Sequence, residues 1–346
     1  MDRDKARAFL DRFTNLASGA TTIGLLAVAD RSGLLAGLVG QPPASAEDVA
    51  KRVHLNGRYT TEILNGLVAA RVLEYEPADA TYWLADEHAA VIADDSSPYS
   101  MAGWLDMIPT GLAHIDDIVQ ATKHGGGVRF ENFGERMIQG IDRGNRPSML
   151  LLLARRWLAA MPDVVERLAG GGRIADFGCG SGAAVQAMAS AYPNASVTGY
   201  DISAASIDRA RAATSNGNAR FVNGGAEAIV SDGPFTLVTA LDVIHDLADP
   251  ASALSAIRTS LGPDGVLFMM EPKIDADLEN NRNDRAALLY GISIFHCMTQ
   301  SLADNGAGLG AAWGPVGARE LCEEVGFTSF VELPIDNPYS SFFRVQ

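Results

Sequence analysis

The run Asp176-Phe177-Gly178-Cys179-Gly180-Ser181-Gly182 closes a short apolar stretch, RIADFG, and opens a helical one, GAAVQAMASAY. Glycines at such a junction let the backbone turn tightly and approach a ligand that larger side chains would hold off. Glycine turns between a strand and a helix are common, so the context decides their meaning. The next apolar stretch, SVTGYD, ends at Asp201, about 20 residues further on, where an acid can accept both hydroxyls of a ribose. The plainer alternative for Asp201 is a cap on the helix that follows. ARFVN, FTLVTALD and GVLFMMEP read as three more strands, with AASIDRARAAT and PASALSAIRTSL as helices among them. This alternation predicts an α/β fold: a doubly wound, Rossmann-like parallel sheet with helices on both faces.

Upstream the pattern changes. GLLAVADRSGLLAGL is helical with a glycine break, and SAEDVAKRV opens with Ser45 as N-cap and acids in its first turn. NGRYTTEILNGLVAARV sets Ile63, Leu64, Leu67 and Val68 at helical spacing, and LEYEPADATYWLAD reads as two strands around a Pro/Asp turn. Three helices and a β-ribbon are the order of a winged helix. A mostly helical stretch rich in Met, Trp and Leu follows, broken at His124-Gly125-Gly126-Gly127. The expected domains are a winged-helix dimerisation module over 1–95, a helical linker and substrate cap over 96–168, and the sheet domain over 169–346.

Composition narrows the function classes. The chain has 346 residues, 47% hydrophobic and 20% charged, which is ordinary for a globular protein with a full core. It has no apolar run of about 18 residues, so no spanning helix is expected. Its start, MDRDKARAFLDRF, is charged throughout and lacks the apolar region of a secretory signal. Cys179, Cys297 and Cys322 match neither a disulfide framework nor a zinc knuckle. The expected setting is the cytoplasm, away from membranes. A net charge of −15 argues against nucleic acid as a partner. Residues 20–90 hold five basic side chains against nine acids, which weighs against a winged-helix regulator.

DFGCGSG, GYDIS, NGGAEAI, LDVIHDLADP and PDGVLFMMEP, in this order, resemble the motifs of class I S-adenosylmethionine-dependent methyltransferases. The N-terminal half resembles the small-molecule O-methyltransferase branch of that family. Glycines spaced GxGxG after an acid, rather than GxGxxG, separate the chain from nicotinamide enzymes. The resemblance implies a cofactor site of Asp176, Gly178, Gly180, Asp201, Ile202, Gly225, Ala226 and Asp242. In it Gly178 and Gly180 pass the methionine moiety, Asp201 holds the ribose, Ile202 packs on adenine and Ala226 lies at the adenine edge. The family's usual Asp near the adenine amine is replaced by Gly225, with Glu227 close enough to substitute for it. Such modules more often dimerise than bind DNA, so the resemblance implies a homodimer.

The chemistry is expected at LDVIHDLADP, where the fourth strand ends. Methyl transfer needs a nucleophile aimed at the sulfonium methyl, usually helped by a base or a metal. In plant-type O-methyltransferases a His in a similar His-Asp pair is the general base, which His245 would match; its plainer role is packing or capping. His296 lies in an apolar helical stretch, IFHCM, where an ionisable side chain needs a partner. Alone it reads as a satisfied core histidine. With His245 and Asp246 it completes two imidazoles and a carboxylate, a set that leaves open positions on iron or zinc. Cys297 is expected outside that set.

The spacing resembles metal-dependent α-keto acid C-methyltransferases of nonribosomal-peptide pathways, phenylpyruvate C-methyltransferases among them. There the corresponding His-Asp pair and later His bind a metal. That resemblance implies Arg129 as the grip on the substrate carboxylate, through its planar fork, and Trp104 as a pocket wall. A surface Arg beside a glycine turn is the plainer reading of Arg129. Asp242 stands where the compared family member has an apolar residue, so the pocket differs there in shape or polarity. The leading expectation is therefore C-methylation of the β-carbon of a phenylpyruvate-like or branched aliphatic α-keto acid, its enolate stabilised by the metal. The alternative is metal-free O-methylation with His245 as general base.

Overall fold

Ten strands form two sheets in the computed structural model, which describes residues 1–346. In the first sheet β1 (Ala44–Ser45), β2 (Glu74–Glu76) and β3 (Thr81–Trp83) pair antiparallel in the order β1-β3-β2. The second contains β4 (Arg173–Phe177), β5 (Ser196–Asp201), β6 (Ala219–Asn223), β7 (Phe235–Leu241), β8 (Leu261–Pro272), β9 (Phe330–Glu332) and β10 (Ser340–Val345). Its order is β6-β5-β4-β7-β8-β10-β9. β4 to β8 are parallel, as the alternation predicts, and β10 enters antiparallel against β8 with β9 outside it.

Side-chain alternation explains why the central strands read as unbroken apolar runs. On β8, Val266, Phe268 and Met270 enter one core, while Leu267 and Met269 enter the other. Phe342 and Phe343 of β10 divide in the same way. The helices Pro162–Ala169 and Ala183–Ala191 cover the first face, and Pro250–Ser260 and Gly314–Glu324 the second. A strand buried on both faces has no polar side to alternate with. The order reverses at β4, whose neighbours are β5 and β7. The crevice beyond their carboxyl ends is where this architecture binds ligands.

The chain divides into two units: Met1–Thr110 with Gln139–Pro147, and Gly111–Ile138 with Ser148–Gln346. The stretch 96–168 expected as one linker is shared between them: residues 96–110, and residues 139–147 of the helix Gly134–Ser148, fall in the first unit and the rest in the second. Within that unit the helix Arg3–Arg31 starts at Asp2, whose carboxylate accepts the Asp4 and Lys5 N–H groups. Ser45 caps the helix Ala46–Arg52, as its sequence signature predicts, and Asn56 caps Gly57–Ala69. Leu34, Leu35, Leu38, Leu64 and Leu67 are fully buried in its core. Arg143 ties the unit together through both Asp30 oxygens, at 2.6 and 2.9 Å, and Asp95 at 2.6 Å. In the second unit the helical run Asp284–Ala303 is long and apolar enough to cross a bilayer, yet it buries Ser293, His296, Cys297, Thr299 and Ser301.

Candidate active site

The loop after β4 is held by backbone bonds. Gly178 and Cys179 both donate N–H groups to Tyr200 O, at 2.8 and 3.0 Å. Gly178 sits at φ +74°, and a Cβ there would lie 2.4 Å from Val243, so only glycine fits. Gly180, at φ +50°, has nothing within 4 Å of the Cβ position and opens onto free space beside Asp201. Its N–H donates to Asp201 Oδ2 at 2.9 Å, while Ser203 N–H donates to Oδ1 at 2.8 Å. Burial pushes the Asp201 carboxyl up, and these two donors pull it back. The cap of the helix Ala204–Ala213 is Ser203, whose hydroxyl accepts the Ser206 N–H at 3.3 Å, so Asp201 is not that cap; its oxygens keep lone pairs for a further donor.

Asp176, at the end of β4, is buried and accepts from Thr239 Oγ1 at 2.6 Å. Burial pushes its carboxyl up to about 7. Ile202 is 81% exposed directly after Asp201, an apolar side chain left bare at the crevice. Gly225 and Ala226 begin the helix Ala226–Asp232, where a Gly225 Cβ would lie 3.4 Å from Ile202 Cγ2. Glu227 is exposed in the first turn of that helix. Asp242 follows β7 at φ +60°, an uncommon conformation for a side-chain-bearing residue. Burial pushes it up to about 6, with His245 acting in the opposite sense.

His245 and Asp246 lie on the short turn Ile244–Asp246 just beyond β7. His245 is buried, with Nδ1 2.6 Å from Glu271 Oε2 and Nε2 3.2 Å from Asp246 Oδ1. Burial opposes the imidazolium, but Asp246 and Glu271 outweigh it and hold His245 well above its ordinary value. Glu271, at the end of β8, also accepts the Ile244 N–H at 3.1 Å and the Trp313 indole N–H at 3.0 Å. Sequence reasoning missed both residues. For Glu271 a signal existed: an ionisable side chain ending the apolar run LFMME is costly to bury unless paired.

His296 lies on the π-helical turn Ser293–Cys297, buried edge-on to Phe133 with ring centroids 5.3 Å apart. Burial lowers its affinity for a proton. The ligand atoms that come within 4.8 Å of one another are those of His245, Asp246 and Cys297. The Cys297 sulfur, expected outside the ligand set, lies in this cluster, which does not include His296, and burial pushes its thiol up to about 12. His296 Nδ1 is buried with no hydrogen-bond partner, and Asp246 Oδ1 has no well-formed hydrogen bond, only its 3.2 Å ion-pair contact with His245 Nε2. Under-bonded atoms of this chemistry fit a divalent or ferric ion.

Arg129 is exposed and paired with Asp304 at 2.9 Å. Its loop is fixed nearby, since Val128 N–H donates to Thr299 Oγ1 at 2.9 Å on the helix that follows His296. Trp104 opens the helix Trp104–Leu112 and belongs to the first unit.

Residues 152–314 match the family model described as a methyltransferase domain, and residues 19–94 match an Rv2258c-like winged HTH domain. The ubiquinone biosynthesis O-methyltransferase of Aromatoleum aromaticum is 33% identical over 112 residues, 31% of this chain and 47% of that protein. An uncharacterized 37.1 kDa protein in transposon TN4556 of Streptomyces fradiae is 33% identical over 138 residues, 37% of this chain and 40% of that one. The chain thus spans about half the length, or less, of these curated relatives. Among solved structures, human N-acetylserotonin methyltransferase in complex with SAM has a TM-score of 0.69 at 22% identity, covering 98% of this chain and 97% of that one. Mitomycin 7-O-methyltransferase has a TM-score of 0.72 at 16% identity, covering 99% of each.

Proposed function

From the match of residues 152–314 to a methyltransferase domain, we propose that this chain is a class I S-adenosylmethionine-dependent methyltransferase that methylates an oxygen of a small acceptor, with His245 as the base. One observation carries the reading: the buried contact of 2.6 Å between His245 Nδ1 and Glu271 Oε2. A carboxylate on Nδ1 keeps a proton there, so that Nε2 is the acceptor of the substrate's proton once the ring is neutral and Nε2 has given up its 3.2 Å contact with Asp246 Oδ1. The names of the relatives, O-methyltransferases in several cases, support this alternative over C-methylation.

When bound, S-adenosylmethionine supplies an electrophilic methyl group and leaves as a neutral thioether. Asp201 offers its carboxylate to the ribose, Ile202 its bare side chain to the adenine, and the open face at Gly180 room for the methionine part. Asp246 and Glu271 hold His245 well above its ordinary value. Beside the sulfonium charge of a bound cofactor, which opposes them, the neutral imidazole is favoured, and its Nε2 can take the proton of the acceptor hydroxyl. The oxygen then attacks in line as its proton passes to His245.

His296 Nδ1, buried without a partner, and Asp246 Oδ1, held only by its contact with His245 Nε2, favour a second reading. His245, Asp246 and His296, with Cys297 adjacent, would hold one iron or zinc ion. Its Lewis acidity would acidify the C–H next to the keto group of an α-keto acid and lead to C-methylation. Arg129 would then leave Asp304 for the substrate carboxylate.

The reading also makes the first unit a homodimer interface. Phe9, Leu10, Phe13 and Leu16 are 63, 62, 56 and 60% exposed on the helix Arg3–Arg31, an apolar set that a second copy would cover.

The test is methyl transfer from labelled S-adenosylmethionine to a panel of phenols, catechols and α-keto acids, with the methylated atom located by NMR. His245→Asn should lower turnover by about 10²–10⁴ while cofactor binding persists. Full turnover in that variant sinks the base assignment, and a methyl on carbon favours the second reading.

A further inference from the structure

The segment Gly306–Trp313 runs against the turn that carries His245 and is tied around it at three points. Ala307 N–H donates to Ala248 O at 2.9 Å, and Gly310 N–H donates to His245 O at 3.2 Å. At the segment's end Trp313 donates its indole N–H to Glu271 Oε2 at 3.0 Å. That oxygen is the one 2.6 Å from His245 Nδ1, while Oε1 receives the Ile244 N–H at 3.1 Å. Glu271, itself buried, therefore has three protein donors on two oxygens, two from the buried Ile244 and His245 and one from the half-buried Trp313.

The last torsion of a glutamate is broad and roughly two-fold, so geometry alone does not choose its rotation. Donors choose it. The Ile244 N–H fixes Oε1 from the backbone, but Oε2 must face an imidazole that can itself turn. A second donor on Oε2, mounted on a large ring, removes that freedom. The Trp313 ring is so mounted: it immediately precedes the helix Gly314–Glu324 and packs on the core that includes Leu254 and Ala318. Indole has a single donor and no acceptor, so its N–H cannot change sense as a hydroxyl can.

We propose that Trp313 is a positioning residue for the chemical step, its indole N–H locking the Glu271 carboxylate in the rotation that orients His245. The inference rests on the reading of His245 as a group at the chemistry, and it applies whether that group is a base or a metal ligand. Trp313 acts through Glu271 and is given no contact with the reacting atoms.

The decisive measurement is the proton NMR spectrum of the full chain, which requires no acceptor. A proton on Nδ1 bonded to a buried carboxylate at this distance gives a far-downfield signal, identified by its loss in His245→Asn. Three substitutions at 313 separate the donor from the ring's bulk: Trp313→Phe, replacement by β-(3-benzothienyl)alanine, which keeps the shape without N–H, and replacement by 7-azatryptophan, which keeps the N–H. The first two should shift the signal upfield and broaden it, and the third should preserve it, with S-adenosylhomocysteine affinity within about twofold throughout. An unchanged signal in the first two variants overturns the proposal. So does a signal lost in Trp313→Phe but kept with benzothienylalanine, because bulk would then be the cause. A wild-type spectrum without the signal removes its premise. Failure of the functional reading looks different: His245→Asn would keep its methyl transfer whatever the spectrum shows.

Discussion

Asp176 gives a stability test whose outcome depends on pH and on no substrate. Its side chain is 2% exposed and accepts a hydrogen bond from Thr239 Oγ1 at 2.6 Å. Burial raises the carboxyl from 3.8 to about 7, against the opposing pull of Thr239 and with a further push from Asp201. Between those values the native state holds a proton that the unfolded chain has released, so stability falls as pH rises. The contribution is complete below 3.8 and is lost as pH rises through about 7. At about 1.4 kcal/mol per pH unit, the loss reaches about 4 kcal/mol by about pH 8. Asp176→Asn keeps the shape, removes the charge and lets the Thr239 hydroxyl still donate to the side-chain oxygen. Urea denaturation of the cofactor-free protein at stepped pH reads the difference between the two proteins. They should nearly coincide at about pH 4 and separate by a few kcal/mol in the variant's favour at about pH 8. Asp242, pushed up to about 6, and His245 titrate in both proteins and cancel in the difference. A gap that stays flat with pH, or a variant less stable at the alkaline end, would refute the reasoning.

Asp201→Ala should weaken S-adenosylmethionine binding by about 1–3 kcal/mol, the loss of a charged acceptor; unchanged affinity in calorimetry removes Asp201 from the site. Under the second reading, Arg129→Ala should raise KM for phenylpyruvate and leave cofactor affinity alone, whereas Asp304→Ala, by freeing the guanidinium, should lower that KM; equal effects of both variants would contradict the assignment. Under the metal reading, purified active protein carries about one iron or zinc per chain, chelation abolishes transfer while cofactor still binds, and His296→Ala loses metal and activity together. Metal-free protein that methylates at full rate returns His245 to the role of base. The first unit should hold the chain as a dimer in sedimentation at micromolar concentration and leave duplex DNA unbound; a monomer, or tight salt-sensitive DNA binding, would defeat that expectation.

What was legible in the sequence depended on how local its cause was. The glycines after β4, the acid ending β5 and the alternation of strand and helix are dictated within a few residues, and they led to the parallel core and its switch point. β9 and β10 are not of that kind. SSFFRV reads as a short apolar run with no crossover helix before it, and its antiparallel place beside β8 is set by packing Phe342 and Phe343 into two opposite cores. The unit boundary was hidden for a similar reason. The helix Gly134–Ser148 looks continuous in sequence, while Arg143 binds it to Asp30 and Asp95, partners 113 and 48 residues away.

The chemical site shows most clearly where such reading stops. His245 and Asp246 are adjacent and sit on one turn, so their pairing was visible. Glu271 lies 26 residues further along and reaches His245 only because β7 and β8 run side by side and end together. The choice between His296 and Cys297 rests on something finer still. Ordinary helical spacing would let the facing residue be deduced, but Ser293–Cys297 is a π turn, in which each residue advances by a smaller angle and the facing side is displaced. The Cys297 sulfur thereby joins His245 and Asp246, and His296 is left among Phe130 and Phe133 with Nδ1 unpartnered. A thiol pushed up to about 12 is a poor ligand until an ion displaces its proton, whereas a neutral buried imidazole is a ready one. Geometry favours Cys297 as the neighbour and protonation favours His296 as the donor, so metal retention in Cys297→Ser against His296→Ala decides which property governs this turn.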